Sequence, residues 1–293
     1  MKISVVINTY NEEKNISRCL ESVKGFADEI IVVDMHSADK TVEIAKKYGA
    51  QVFEHEYTRY VEPARNFALS RATGDWILLI DADEELSGTL RKKLEEIIEN
   101  NVFDYIEIPR KNIIFGKWIE YSRWWPDCLV RFFRKGKVKF FDEIHVPPST
   151  AGEGTSLEAK EENALIHHNF QTIFQFIERL NRYSDIQSEE LAKNGYKFNW
   201  KDLVIKPSNE FFSRFFAGNG YKDGLHGLAL AMLQSFSEAT VYLKVWEKEG
   251  FPKDNLSDIS KVFEKIVNNF LYWTAKLPGG LLKKIHIKIK AKI

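Results

Sequence analysis

The chain has 293 residues, which is long for one domain and short for two, so we expect one main domain with an appendage. Basic and acidic residues both number 42, so the formal net charge is zero and the composition gives no argument for a nucleic-acid partner. A hydrophobic content of 44% with 21 Phe excludes a disordered chain.

The first hundred residues alternate short apolar runs with segments of helical spacing. Strands are predicted at 3–7, 30–33, 52–53 and 76–80, and helices at 12–23, 41–48, 63–71 and 86–98. This order is typical of an α/β protein whose mostly parallel, Rossmann-like sheet has helices on both faces. In such sheets ligands bind at the carboxyl ends of the strands.

The fourth strand ends in a run of carboxylates within GDWILLIDADEEL, residues 74–86. Asp81, Asp83, Glu84 and Glu85 lie within five positions, whereas capping the next helix needs one side chain, which Ser87 could supply. Mg²⁺ or Mn²⁺ typically binds one or two carboxylates together with phosphate oxygens. The run therefore predicts a divalent cation that carries a nucleoside diphosphate and offsets the repulsion between the carboxylates.

Beyond residue 105 the pattern changes. We predict a hairpin with arms at 128–133 and 138–141, and a mobile polar loop at 149–162. From His167 onward the spacing predicts helices, the last of them at 259–277, ahead of a basic tail.

The location is predicted from what the sequence lacks. Cys19 and Cys128 have no disulfide-framework or metal-site spacing, which is typical of a reducing compartment. The chain also shows no signal-peptide pattern and no apolar stretch long enough to span a membrane. We expect a cytoplasmic protein, and docking at the inner face of the cell membrane stays open.

Three segments carry a family resemblance in this order: SVVINTYNEEKNISRCLESV, EIIVVDMHSADKT and PARNFALSRATGDWILLIDADEEL. They resemble the opening of family 2 glycosyltransferases with the GT-A fold. Within that family the chain is similar to bacterial enzymes that extend lipopolysaccharide core or other surface glycans. The resemblance implies a GT-A catalytic domain at 1–165, with a nucleotide-sugar half at 1–110 and an acceptor half at 111–165, and a helical C-terminal region at 166–293.

The resemblance also implies a nucleotide-sugar site. Its residues would be Thr9, Tyr10, Asn11, Asp34, Arg65, Asn66, Asp81, Ala82 and Asp83. Tyr10 would stack on the base, Asp34 would contact base or ribose, and Arg65 would bridge the diphosphate with its planar donor fork. Many family members have a second Asp after the position of Asp34, where this chain has Met35.

For the metal, Mn²⁺ or Mg²⁺, the resemblance implies that Asp83 is a direct ligand and that Asp81 faces the ribose and the metal-bound water. His145 would approach the metal or the diphosphate, or hold its loop in place. The adjacent pair His167-His168 resembles a histidine of the relatives, but without a partner at metal spacing we predict a structural role for both.

Inverting sugar transfer also needs a general base near the acceptor hydroxyl. Asp127 is the first candidate, because burial at a strand start beside tryptophans would raise its pKa. An ion pair with Arg131 or Arg123 is the alternative explanation for that aspartate. Glu143 is the second candidate and Asp142 the third; relatives often have His-Glu where this chain has His145-Val146.

These features predict an inverting, metal-dependent glycosyltransferase that moves a sugar from a nucleotide-sugar donor, with UDP expected, to a saccharide or lipid-linked saccharide of the cell envelope. A polyprenyl phosphate is the alternative acceptor. A non-catalytic nucleotide-sugar-binding protein is the alternative of another class. A nucleotidyltransferase is disfavoured, because NTYNEEKN after the first strand is neither glycine-rich nor basic.

Membrane contact is predicted from two basic, apolar segments. The first has Phe211, Phe212, Phe215 and Phe216 among Lys and Arg, and the second is the tail LLKKIHIKIKAKI. Amphipathic basic segments bind anionic bilayers. The alternative is that the phenylalanines fix the helical region onto the catalytic domain while the lysines remain in solvent.

Overall fold

The computed structural model describes residues 1–142, 146–253 and 255–274. Its strands are β1 (Ile3–Thr9), β2 (Glu29–Asp34), β3 (Gln51–Glu54), β4 (Trp76–Asp81), β5 (Glu84–Glu85), β6 (Tyr105–Ile108), β7 (Arg110–Ile114), β8 (Lys117–Trp118), β9 (Leu129–Arg134), β10 (Val138–Lys139), β11 (Ser149–Thr150), β12 (Gly154–Ser156) and β13 (Leu165–Phe170). Its helices are α1 (Ile16–Val23), α2 (Thr41–Lys47), α3 (Glu62–Arg71), α4 (Gly88–Asn100), α5 (Ile173–Lys193), α6 (Trp200–Phe212), α7 (Leu225–Lys248) and α8 (Ile259–Thr274).

A seven-stranded sheet with the order β12-β6-β9-β4-β1-β2-β3 forms the centre of the catalytic part. The pairs β4–β1, β1–β2 and β2–β3 are parallel. In β1, Val5 and Ile7 belong to one hydrophobic core and Val6 to the other, because neighbouring side chains of a strand point to opposite faces. The sheet therefore has a core on each face, and the predicted α/β fold with a mostly parallel sheet is confirmed.

The predicted hairpin at 128–141 is wrong. β9 lies antiparallel between β4 and β6, and β10 pairs with β11 instead. The reason is burial, since Phe132 and Phe133 on β9 contribute to opposite cores of the central sheet. A strand that is apolar on both faces belongs inside a sheet and not in an exposed two-stranded ribbon.

Two further predictions of local structure are corrected. The polar segment expected as a loop at 149–162 contains β11 and β12, and β12 pairs in parallel with β6 as an edge strand, where polar residues can face solvent. The helical region begins at Ile173, where Thr172 and Gln175 form a capping box. His167 instead lies on β13, whose side chains alternate in burial from Leu165 to His167.

The chain divides into two compact units. The first comprises 1–114 and 125–169, and the second comprises 115–124 and the described residues from 170 onward. In the second unit, Phe212 and Phe216 lie with ring centroids 5.6 and 5.7 Å from Phe270 of α8. Among the described residues no helix is both long and apolar enough to cross a bilayer. The basic tail lies outside the described residues.

Candidate active site

Polar side chains of three parallel strands meet at one edge of the large sheet. Thr9 is in register with Asp34, and Asn8 is in register with Asp81, so the ends of β1, β2 and β4 lie side by side. Ser87 caps α4, because its Oγ accepts a hydrogen bond from Leu90 N at 3.2 Å. The carboxylates that precede this helix are therefore not needed as its cap.

Asp81 is enclosed by arginines. Arg131 reaches both carboxylate oxygens of Asp81, and Arg65 Nη2 lies 3.2 Å from Asp81 Oδ1. Burial by itself would raise the pKa of Asp81, but the charges of Arg131 and Arg65 outweigh it and hold that pKa well below its usual range. Asp81 is an anion at every physiological pH. Both of its oxygens face guanidinium groups, and its expected contacts with the ribose and the metal-bound water remain predictions.

Glu84 is fully buried and is also held by arginines. Its Oε1 accepts hydrogen bonds from Arg131 Nη2 at 3.1 Å and Arg110 Nη1 at 3.3 Å, while its Oε2 accepts one from Asp81 N at 2.9 Å. Arg110 and Arg131 therefore balance charge that the sequence led us to assign to a metal. A buried carboxylate requires such partners.

Asp83 lies beside a histidine that the sequence did not lead us to include. β5 pairs with β13, which places His167 Nε2 3.4 Å from Asp83 Oδ2. Both side chains are buried. The prediction of a purely structural His167 assumed that it had no partner at metal spacing, and the strand pairing supplies one. LIHHNF shows no alternation of apolar and polar residues, so the local sequence gave no clear signal that His167 lies on a strand.

The pair Asp83 and His167 fits a cation that also binds phosphate. Among the residues described, no three His, Cys, Asp or Glu side chains form a cluster that could hold a metal. Mg²⁺ and Mn²⁺ sites in nucleotide enzymes rarely need one, since the cation takes one or two protein ligands and completes its shell with phosphate oxygens and water. A carboxylate oxygen and an imidazole nitrogen are suitable donors for Mn²⁺.

Three buried polar atoms near the ends of β1 and β4 lack partners among the described residues. Thr9 Oγ1, Asn8 Oδ1 and Arg65 Nη1 are buried and have no hydrogen-bond partner within the described ranges. Buried polar groups are normally paired, so three such atoms at one sheet edge fit contacts to a bound polar molecule. The ring of Tyr10 packs at a tilt against the ring of Tyr57, with centroids 4.4 Å apart, which places an aromatic pair at the same edge.

Other residues of the predicted site are engaged in local contacts. Asp34 accepts hydrogen bonds from Ser37 N at 2.8 Å and Ser37 Oγ at 2.6 Å, and Asn11 N donates to the same hydroxyl at 2.7 Å. Asn66 binds the backbone of Phe140 with both ends of its amide, at 2.8 and 3.0 Å.

The predicted set also includes residues with less defined surroundings. Ala82 is buried between the two aspartates of the DAD segment, and Asp142 is exposed. Glu143 and His145 lie outside the described residues, so their expected roles remain predictions.

Asp127 is neither deeply buried nor paired with Arg131 or Arg123. Its Oδ2 accepts a hydrogen bond from Arg110 Nη2 at 2.5 Å and another from Asn112 Nδ2 at 3.3 Å. Asn112 in turn contacts His167, whose Nδ1 lies 2.7 Å from Asn112 Oδ1. The structure therefore connects the base candidate with Asp83 through two side chains.

Comparison with known proteins agrees with this architecture. The sequence model of the family described as "Glycosyl transferase family 2" matches residues 4–152. The chain is 33% identical to an uncharacterized glycosyltransferase of Rickettsia typhi, over 80% of this chain and 84% of that protein. It is 24% identical to the lipopolysaccharide core biosynthesis glycosyltransferase LpsC of Rhizobium meliloti, over 88% of this chain and 97% of LpsC.

Solved structures of similar proteins are more distant. The crystal structure of S. aureus TarS 1-349 has 17% identity and a TM-score of 0.42, covering 88% of this chain and 95% of that chain. A glucosyl-3-phosphoglycerate synthase of Mycobacterium tuberculosis, crystallised with Mn²⁺, UDP and glucosyl-3-phosphoglycerate, has 23% identity and a TM-score of 0.30. That match covers 38% of this chain and 44% of the synthase.

Proposed function

This chain belongs to glycosyl transferase family 2, and we propose that it transfers a sugar with inversion, and with the help of a divalent metal, from a UDP-sugar to a saccharide acceptor of the cell envelope. Membership makes it a glycosyltransferase, so the non-catalytic alternative is not retained. The acceptor class is suggested by the role of LpsC in lipopolysaccharide core biosynthesis. A polyprenyl phosphate stays the alternative acceptor.

The observation that carries the metal-dependent mechanism is the distance of 3.4 Å between Asp83 Oδ2 and His167 Nε2 at the carboxyl edge of the sheet. These two side chains would hold Mn²⁺ or Mg²⁺. When bound, the cation stabilises the negative charge of the departing diphosphate. Asp81 holds Arg65 and Arg131 in place, because its carboxylate binds both guanidinium groups.

The chain's own residues bind and orient the donor. Arg65 Nη1, a buried donor without a partner among the described residues, is assigned to a diphosphate oxygen. Thr9 Oγ1 and Asn8 Oδ1 are assigned to base and ribose, and the ring of Tyr10 to the face of the base. Asp34 and Asn11 keep the loop after β2 closed through Ser37 and shape this end of the site.

Asp127 is the proposed general base. Its hydrogen bonds with Arg110 and Asn112 both use Oδ2, so Oδ1 is the atom assigned to the proton of the acceptor hydroxyl. The network through Asn112 and His167 fixes Asp127 relative to Asp83. This orientation would bring the acceptor hydroxyl to the sugar carbon on the face opposite the leaving diphosphate.

Peripheral membrane contact stays a proposal that rests on the basic tail. The packing of Phe212 and Phe216 against Phe270 supports a structural role for the phenylalanine cluster. Co-sedimentation with anionic liposomes at low salt tests the tail, with a chain lacking residues 281–293 as the comparison. If the full-length chain remains in the supernatant, membrane docking is excluded.

A donor screen tests the proposed reaction. Released nucleoside diphosphate is measured with Mn²⁺ across UDP-, GDP- and dTDP-sugars and a short lipopolysaccharide-core oligosaccharide, and the anomeric configuration of the product is read by NMR. We expect turnover with a UDP-sugar, loss of turnover in excess EDTA, and an inverted anomeric centre. Full activity in EDTA would contradict the metal, and a retained configuration would contradict the assigned base.

A further inference from the structure

Asn112 lies between the base candidate and the cation pair. It is on β7, which neighbours β13 in the second sheet, and it is fully buried. Its Oδ1 lies 2.7 Å from His167 Nδ1, and its Nδ2 donates a hydrogen bond to Asp127 Oδ2 at 3.3 Å. Asn169 Nδ2 donates a second bond to Asn112 Oδ1 at 3.4 Å.

The contact with Asp127 sets the orientation of the Asn112 amide. A carboxylate that is ionised can only accept hydrogen bonds, so the NH₂ group of Asn112 must face Asp127. A flipped amide would bring its oxygen against that carboxylate and its NH₂ group against the NH₂ group of Asn169. The oxygen of Asn112 therefore faces His167, and because that oxygen only accepts, His167 Nδ1 must carry the hydrogen.

The opposite ring nitrogen then meets Asp83. With hydrogen on Nδ1, a neutral His167 presents the lone pair of Nε2 to Asp83 Oδ2 at 3.4 Å. Two acceptors at this distance are stabilised by a cation between them. Metal-binding histidines commonly donate their second N–H to a neighbouring oxygen, which fixes the tautomer and the ring orientation.

We infer that Asn112 is a positioning residue, which holds His167 in the Nδ1–H tautomer so that Nε2 and Asp83 together face the divalent cation. The cation itself rests on the proposed function, whereas the tautomer is a property of the protein alone. Asp127 shares in this role, because its carboxylate orients the amide of Asn112.

The tautomer is measured first, on full-length protein labelled with ¹⁵N-histidine and kept at a pH where the ring is neutral. Long-range ¹H–¹⁵N correlation spectra distinguish the two ring nitrogens, and comparison with His167→Gln assigns the signals among the seven histidines. We expect His167 to carry its hydrogen on Nδ1, whereas a free histidine side chain prefers hydrogen on Nε2. A wild-type spectrum with hydrogen on Nε2 would overturn the inference.

Three variants then separate positioning from folding. Asn112→Leu removes the acceptor, and we expect loss of the Nδ1–H tautomer and about tenfold weaker Mn²⁺ binding, followed by the EPR signal of free Mn²⁺. Asn112→Gln keeps both an acceptor for His167 and a donor for Asp127, and should retain the wild-type tautomer. Asn169→Leu makes the matched change beside the same oxygen and should alter neither measurement.

The outcomes distinguish this inference from the proposed function. An Asn112→Leu protein with the Nδ1–H tautomer and wild-type Mn²⁺ affinity would refute the positioning role. If Asn112→Leu does not fold, the wild-type and Asn112→Gln spectra still decide the tautomer. A wild-type protein that has the Nδ1–H tautomer but binds no Mn²⁺ in the presence of UDP would support the role of Asn112 and contradict the proposed metal.

Discussion

The two edges of the large sheet both contain carboxylates, and they use them differently. At the amino edge, Glu29 accepts hydrogen bonds from Thr73 N at 2.6 Å, Thr73 Oγ1 at 2.8 Å and Lys2 Nζ at 3.2 Å. Ser4 Oγ donates to the same carboxylate at 2.5 Å. At the carboxyl edge, Asp81 and Glu84 are held mainly by arginines, which carry more donors than these two carboxylates use.

At the amino edge, the carboxylate of Glu29 is satisfied by protein donors. Burial would raise the pKa of Glu29, but hydrogen bonds from Ser4 and Thr73 outweigh it and lower that pKa to about 2. Gly74 completes the packing, because a Cβ there would lie 2.7 Å from Ser4 Oγ. Gly74, the first residue of the segment GDWILLIDADEEL, therefore belongs to this structural cluster.

At the carboxyl edge, some buried polar atoms have no partner among the described residues. Arg65 Nη1 and Thr9 Oγ1 are buried without partners in the described part of the chain, and His167 Nε2 faces Asp83. Burying such groups costs free energy that structural sites avoid. The two edges therefore differ in the groups that hold their carboxylates, which are Ser4, Thr73 and Lys2 for Glu29 and mainly arginines for Asp81 and Glu84.

The largest effect is expected at Asp83. Asp83→Asn should reduce turnover at least about 10³-fold, since the charge stabilisation that a metal supplies amounts to several kcal/mol. Asp75→Asn is the matched control at the amino edge, where Asp75 Oδ2 accepts a hydrogen bond from Lys2 N at 2.8 Å. Steady-state kinetics with Mn²⁺ measure the turnover of both variants. Near-normal activity of Asp83→Asn in excess EDTA would contradict the assignment of Asp83 to a metal.

The second largest loss of activity is expected at Asp127. Asp127→Asn is expected to lower kcat by about 10²–10⁴-fold and to leave the donor Kd nearly unchanged, because a general base acts in the transition state. Glu143→Gln is the comparison. If Glu143→Gln gives that pattern and Asp127→Asn does not, the base is Glu143; mild effects of both would place the base elsewhere.

The third prediction concerns Arg65, whose Nη1 donor has no partner among the described residues. Arg65→Lys retains the charge but loses the planar fork, so we expect the Kd for UDP to rise about 10-fold, in line with the loss of one charge-assisted hydrogen bond. Arg71→Lys on the same helix is the control, because Arg71 lies over the ring of Phe67 at 4.4 Å. Calorimetric titration measures the Kd of UDP for both variants. If Arg65→Lys binds UDP as tightly as Arg71→Lys does, Arg65 does not contact the diphosphate.

The smallest effect on activity is expected at Glu29, where stability should change instead. Glu29→Gln should lower the free energy of unfolding by about 1–3 kcal/mol at neutral pH and leave kcat unchanged. The pKa of Glu29 falls from 4.5 to about 2 on folding, so its contribution is present above pH 4.5 and is lost as pH falls toward 2.

Urea unfolding of wild type and Glu29→Gln at pH about 7 and about 3 measures this pH dependence. The difference between the two proteins should narrow at the lower pH. A difference that stays constant would show that Glu29 does not have the lowered pKa, and a loss of activity at neutral pH would break the division between the two edges.

The sequence predicted the edge but not the network that organises it. Hydrophobic periodicity and the DAD segment located β1, β2 and β4 and the carboxylates that follow them, because these are local patterns. Arg110, Asn112 and His167 were missed as site residues, since only the pairing of β5, β13 and β7 brings them beside Asp83 and Asp127. β9 was assigned to a hairpin because local turn signals do not reveal that a strand lies between two distant ones.

Pulsed EPR of Mn²⁺ bound with UDP to the full-length, ¹⁵N-histidine-labelled chain tests the central claim most directly. The proposed site predicts ¹⁵N coupling from one coordinated imidazole, which disappears in His167→Gln and remains in His168→Gln. Bound Mn²⁺ without histidine coupling in the wild-type protein, or with coupling that survives in His167→Gln, would contradict the assignment of Asp83 and His167 to the cation.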